Sequence, residues 1–196
     1  VKRLKGTLIL LVSLLFCGSV AFAQVEWLPL RIDNEKKPIA FFPGQIEEIS
    51  DTVPTALGEM PFTTYFTKDD DALTGNRLYM MTVIDYARGA FPADSIERRN
   101  AFFEQTVSAA HESIGGEVVI SQPTKSGTHE GWIFRINYGE ERPTVVRNRM
   151  YIVGDRYYHQ QVFSFMKDGG VKSRERFFDN FNPIEPAPPK SLSKKS

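Results

Sequence analysis

Two segments rich in β-branched and aromatic residues, 144–153 and 156–165, are separated only by Gly154-Asp155. A two-residue glycine-containing connection between such runs marks a tight β-hairpin, and the length of that connection fixes the register. Val153 must then face Arg156, and behind them Ile152 faces Tyr157, Tyr151 faces Tyr158, Met150 faces His159 and Arg149 faces Gln160. Side chains alternate between the faces of a strand. One face therefore carries Val146, Met150, Ile152, Tyr157, His159 and Phe163, and the other carries Arg147, Arg149, Tyr151, Tyr158 and Gln160. The preceding segment, 128–138, alternates Trp132, Phe134, Ile136 and Tyr138 with Ile133, Arg135 and Asn137. A one-residue slip would turn every apolar side chain outward, so matching the apolar faces sets Arg135 beside Arg147 and Arg149. The chain is thereby committed to an antiparallel sheet with three arginines and two tyrosines on one face.

The remaining periodicities supply partners for this sheet. Residues 38–43 end in a Pro-Gly turn and read as a strand, 45–55 are polar and β-branched, and 61–67 alternate Phe62, Thr64 and Phe66 with Thr63 and Tyr65. After a loop at 68–77, residues 78–86 are almost continuously apolar, the pattern of a central strand covered on both sides. One long helix is expected between Pro92 and the Gly115-Gly116 stop, with Asp94 as N-cap and Glu97 three residues on. Its stripe is Ile96, Phe103, Val107, Ala110 and Ile114. A short strand at 118–121 precedes the meander, and a second helix at 171–181 is anchored by Phe177, Phe178 and Phe181. Strands followed by a helix, then four strands and a helix, without a βαβ rhythm, predict an α+β fold: a single domain with an antiparallel β-sheet flanked by helices.

Both ends of the chain read differently from this domain. Residues 1–23 combine Lys2, Arg3 and Lys5 with an apolar run at 8–16 and a closing Ala21-Phe22-Ala23, which predicts a cleaved secretory signal peptide. The apolar run is shorter than the roughly 20 residues a spanning helix needs, so no transmembrane segment is expected after cleavage. Cys17 follows Phe16, where an acylated cysteine requires a small residue before it. Cleavage after Ala23 leaves 173 of the 196 residues and no cysteine, which excludes disulfides and thiolate chemistry in the mature chain. The domain is then 24–182, followed by a Pro-, Lys- and Ser-rich tail at 183–196 that is expected to be disordered. The precursor balances 24 Lys and Arg against 24 Asp and Glu, but three of those cations belong to the leader, so the exported chain is mildly acidic. That balance argues against a nucleic-acid partner.

Like charges side by side on a sheet cost stability unless something neutralises them. Arg135, Arg147, Arg149, Tyr151, Tyr158 and Gln160 are therefore the candidate binding patch, with guanidinium forks suited to carboxylate or phosphate. The alternative is structural: the arginine stems pack beneath the second helix and their heads pair with acids such as Glu175 or Asp179. A deep apolar pocket beside these arginines would favour a carrier of a small ligand, and a flat patch would favour docking of a protein.

No catalytic motif, cofactor or metal site is expected. His111, His129 and His159 lie on three separate elements, without the close pairing of zinc sites. The acids of Asp69-Asp70-Asp71 are consecutive, whereas calcium loops space them alternately around a glycine, so this segment reads as a solvated loop. Nucleophile-elbow and phosphate-loop patterns are absent.

Ile39-Ala40-Phe41-Phe42-Pro43-Gly44, the 78–86 strand, and the run from Arg149 to Tyr158 followed by Phe177-Phe178-Asp179-Asn180-Phe181 together resemble the PsbP-like superfamily across nearly all of 27–182. The meander departs from that pattern by one residue, since only two residues separate Tyr151 from Gly154. The resemblance implies an antiparallel sheet sandwiched between helices. It also implies roles in binding or assembly, as in a photosystem extrinsic subunit, a nuclear import factor that binds a small GTPase, and exported bacterial envelope proteins. On this reading the chain is an exported, non-catalytic binding or assembly module of the cell envelope, periplasmic or secreted, with an envelope protein as partner. The alternative is a carrier of a small amphipathic or anionic ligand.

Overall fold

The computed structural model describes residues 25–186 apart from 34, 56–57, 70–73, 93, 142 and 168–169. The expected signal peptide, Cys17, and Asp70 and Asp71 of the acidic loop lie outside the described residues. Among the described residues, nine strands and two helices follow in the order β1 (Trp27–Leu30), β2 (Ala40–Pro43), β3 (Glu47–Thr55), β4 (Gly58–Lys68), β5 (Leu78–Asp85), α1 (Ile96–Ile114), β6 (Glu117–Ser126), β7 (His129–Tyr138), β8 (Thr144–Val153), β9 (Arg156–Phe165) and α2 (Val171–Asp179). Strands β3 to β9 form one antiparallel sheet in the order β3-β4-β5-β9-β8-β7-β6, and β1 pairs with β2 in a separate ribbon. This is the α+β class expected from the sequence.

Every cross-strand pair deduced for the β8–β9 hairpin is present, and Arg135 pairs with Arg147 across β7 and β8. Gly154 takes the positive φ of 60° that the turn requires. Its neighbour Asp155 does more than turn the chain. The Asp155 carboxylate accepts hydrogen bonds from the Gly89 and Phe91 backbone amides, and its carbonyl accepts from the Tyr86 amide. The loop leading into α1 is thus pinned to the hairpin.

The sheet divides the core in two. On one side, Tyr79, Met81, Val83, Tyr151, Tyr158 and Val162 pack against the β1–β2 ribbon and against Phe177, Phe178 and Phe181. On the other, Ile84, Trp132, Phe134, Ile136, Val146, Met150, Ile152 and Tyr157 meet Phe103 and Val107 of α1. The apolar run of β5 contributes to both clusters, as expected of a central strand; it lies between β4 and β9.

Four expectations need correction. Strand β6 runs through Pro123 to Ser126, well beyond 121; proline is tolerated there because β6 is an edge strand with one side of its backbone unpaired. The N-cap of α1 is Ser95, without a side-chain cap bond. The Ser95 amide bonds to the Pro92 carbonyl, so a turn takes up Asp94 before the helix begins. The tail is ordered at its start: the Tyr158 hydroxyl donates to the Ile184 carbonyl at 2.6 Å and accepts from the Ile184 amide at 3.0 Å. Residues 187–196 lie outside the described residues. Asp69 is buried, not solvated, and accepts bonds from the backbone amide and hydroxyl of Thr74. Thr74 in turn accepts from the Tyr79 hydroxyl, while Asn76 donates to both Tyr79 and the Gly170 carbonyl. This buried polar chain ties Asp69, Thr74 and Asn76 to Tyr79 and to the start of α2, and buried networks of this sort rigidify the segments they join.

Candidate functional site

The six residues of the arginine–tyrosine face are brought together beneath α2, but they do not form an open patch. Tyr151, Tyr158 and Gln160 are fully buried, and the Gln160 amide donates to the Phe177 carbonyl at 3.1 Å. Arg149 donates to Asp179 at 2.8 Å and to Glu175 at 3.0 Å, with its guanidinium stacked 4.7 Å from the Phe178 ring. Arg149 thus pairs with the two acids named from sequence.

Arg135 and Arg147 behave differently. With Arg149, Arg174, Glu175 and Phe178 they line a crevice of about 160 Å³ between β7, β8 and α2. Arg147 donates to the Ser164 hydroxyl at 3.0 Å and, among the described residues, forms no ion pair with a carboxylate. Burial, and then the charges of Arg174 and Arg135, push its pKa down to about 10. The Arg135 Nε is buried and meets no acceptor. Glu175 is shared between Arg149 and Arg174.

The larger apolar cleft does not open beside the arginines but lies on the opposite face of the sheet. Helix α1 packs mainly on β7 and β6, which leaves the β4–β5–β9 half of that face partly uncovered. Between the helix and this half opens a cleft of about 690 Å³, within the size range of small-molecule sites. Its floor includes Phe62, Ile84 and Tyr157, and the helix contributes Ala101, Phe102 and Ala109. One end is closed by an edge-to-face aromatic cluster in which Phe102 contacts Tyr86, Phe91 and Tyr157 at centroid distances of 5.7, 5.1 and 5.2 Å. Arrangements of this kind add packing energy beyond area burial. The Asp155 carboxylate, through the Phe91 amide, holds that end in place.

Few polar groups reach this cleft. Thr82 is engaged with Thr64 at 2.8 Å, and the Thr106 hydroxyl donates to the Phe102 carbonyl at 2.9 Å. The Tyr157 hydroxyl is buried beside Thr106, and burial raises its pKa well above the ordinary value. Arg98 is exposed on the cleft wall. An apolar body with one hydrogen-bonding group inside and one anionic group outside would satisfy all of these features.

His159 borders the same space. Its ring nitrogen Nε2 lies 2.9 Å from the Asn148 Oδ1, which also accepts from Gln161. Since that oxygen can only accept, Nε2 carries the proton of a neutral ring. The surface His159 leaves uncovered faces an apolar-walled cleft, so desolvation dominates and its pKa falls from 6.5 to about 3. Above the ordinary histidine value the ring is neutral in folded and unfolded chains alike. Below it only the unfolded chain takes up the proton, until the folded value is reached. Stability is therefore full above about pH 6.5 and falls toward pH 3, by at most about 1.4 kcal/mol per pH unit from this group. Replacing His159→Gln, whose amide can still donate to Asn148, is expected to flatten the pH dependence of the urea midpoint between about pH 6 and 4. Identical slopes in the two proteins would assign that dependence to other groups.

Sequence periodicity missed the cleft because it scored α1 for a single apolar stripe. Phe103, Val107, Ala110 and Ile114 do face the core, although Ile96, at the start of that stripe, is 45% exposed. A second row, Arg98, Phe102, Gln105, Thr106 and Ala109, faces the cleft. The Phe102-Phe103 doublet was the available signal, since adjacent aromatics on a helix must point in different directions.

Among the described residues no group of three His, Cys, Asp or Glu side chains is placed to hold a metal ion. None of their helices is long and apolar enough to cross a membrane. No protein-family model matches this chain, and no curated protein sequence does. Similar solved structures include one from Bacteroides thetaiotaomicron VPI-5482, at 9% identity and a TM-score of 0.43, which matches 74% of this chain but only 44% of its own. Another is PA94 of Pseudomonas aeruginosa, a protein of unknown function, at 10% identity and a TM-score of 0.46 over 82% of this chain and 99% of that one.

Proposed function

We propose that this chain is an exported binding module of the bacterial cell envelope, PsbP-like in architecture, that carries a small amphipathic ligand in the cleft beneath α1. The observation that supports the reading is the cleft itself: about 690 Å³ of largely apolar space, with Tyr157 in its floor and Arg98 at its wall. Burying an apolar ligand surface there is favourable at about 25 cal/mol per Å². A ligand carboxylate or phosphate beside Arg98 would set the orientation. Residues 1–23 act as the export signal and are removed.

Docking of an envelope protein is the second reading. It is favoured by Val119 and Ile120, which stand 37% and 39% exposed on the edge strand β6, since an unpaired edge invites strand addition.

The carrier reading is tested by isolating the protein from its native compartment under non-denaturing conditions and analysing the extracted small molecules by mass spectrometry. The expected result is an amphipathic molecule in near-equimolar amount. A protein that emerges empty, and that takes up no medium-chain fatty acid in vitro, contradicts it.

A further inference from the structure

We infer that the crevice between α2 and strands β7 and β8 is a second binding site, for a small oxyanion of the phosphate class, held by Arg135, Arg147 and Arg174. It lies on the opposite side of the sheet from the cleft and does not depend on the carrier reading.

The charge arrangement carries the inference. Four guanidiniums, those of Arg135, Arg147, Arg149 and Arg174, surround the crevice, and the carboxylates paired with them are Glu175 and Asp179. Asp179 is engaged by Arg149 at the helix end, and Glu175 is divided between Arg149 and Arg174. Among the described residues, two of these positive charges thus remain without a carboxylate to balance them, around a space walled by Ile120, Ile133, Phe134 and Phe178. A dianion balances them. The register forces this crowding, because Arg135 and Arg147 are direct cross-strand partners, and like charges opposite one another are destabilising in the absence of a counter-ion.

The donors fit the same ligand. The Arg135 Nε is buried without an acceptor, whereas arginine forks bind phosphate through paired N–H groups. Among the described residues the hydrogen-bond partner of Arg147 is the neutral Ser164 hydroxyl. Burial, and then the charges of Arg174 and Arg135, lower the proton affinity of Arg147, and an anion in the crevice would offset the repulsion between these cations. A crevice of about 160 Å³ has room for a tetrahedral oxyanion.

The test is a titration of the protein with inorganic phosphate near pH 7.5 at constant ionic strength, read by NMR on the arginine Nε–H resonances. Saturable shifts are expected at Arg135 and Arg147, with at least tenfold weaker binding in Arg147→Gln and in Arg135→Gln. Each variant is first checked for a folded spectrum, and Arg147→Lys, which keeps the charge and loses the fork, is expected to be intermediate. Arg88→Gln, on an exposed loop, is expected to bind as the wild type does. Acetate should bind at least tenfold more weakly than phosphate. Glycerol phosphate binding as tightly as phosphate would show that the group can belong to a larger molecule, and binding of phosphate alone would identify the free ion; either supports the site. No saturable response in the folded wild-type protein, or a response undiminished in both glutamine variants, overturns it.

Discussion

Phe177→Ala is expected to lower the folding free energy by about 3–5 kcal/mol, the usual cost of removing a fully buried phenyl ring. Phe177 has no exposed surface and touches three other rings, with centroids 5.0 Å from Phe42, 5.4 Å from Tyr79 and 5.6 Å from Phe178. It therefore joins the β1–β2 ribbon, the central strand β5 and helix α2 in one contact. The ring cannot be replaced by local collapse, because the Asn76–Tyr79–Thr74 bonds fix Tyr79 and the Gln160 amide holds the Phe177 carbonyl. Since domains are stable by only about 5–15 kcal/mol, the variant should be close to unfolding, with a melting temperature lower by roughly 10 °C or more. Urea unfolding provides the check. Ile96→Ala is the control: at 45% exposure it is expected to change stability by no more than about 0.5 kcal/mol. Similar losses in the two variants would contradict this account of the core.

Ala109→Trp should have the largest effect on binding with almost none on folding. Ala109 lines the cleft from the helix side and is itself exposed, so an indole can occupy ligand space without displacing a packed neighbour. A loss of affinity of at least about tenfold, corresponding to 1.4 kcal/mol, is expected for any cleft ligand, with an unchanged urea midpoint. Unchanged affinity in a variant of unchanged stability would place the ligand elsewhere.

Register is where the sequence was most informative. Gly154-Asp155 allowed a single pairing, and from it the neighbourhood of Arg135, Arg147 and Arg149 followed by alternation alone. The pairing of Arg149 with Glu175 and Asp179 was one of the two readings the sequence offered for the arginine-bearing face. What periodicity could not supply was depth. Tyr158 and Gln160 alternate like surface residues, yet the start of the tail and α2 cover them completely. The cleft was invisible for a related reason. It exists because α1 lies over β6 and β7 and not over the centre of the sheet, and the lateral placement of a helix is set by tertiary packing, not by its own stripe.

The central claim, that an amphipathic molecule sits beneath α1, is tested most directly by titrating decanoate into protein carrying isotope-labelled alanine methyl groups. Ala90, Ala101 and Ala109 line the cleft, and Ala40 is buried in the core on the other side of the sheet. Saturable shifts of the three cleft methyls with Ala40 unmoved are the predicted result. No saturable shift at any of the three, or a response at Ala40 while they stay silent, would contradict it.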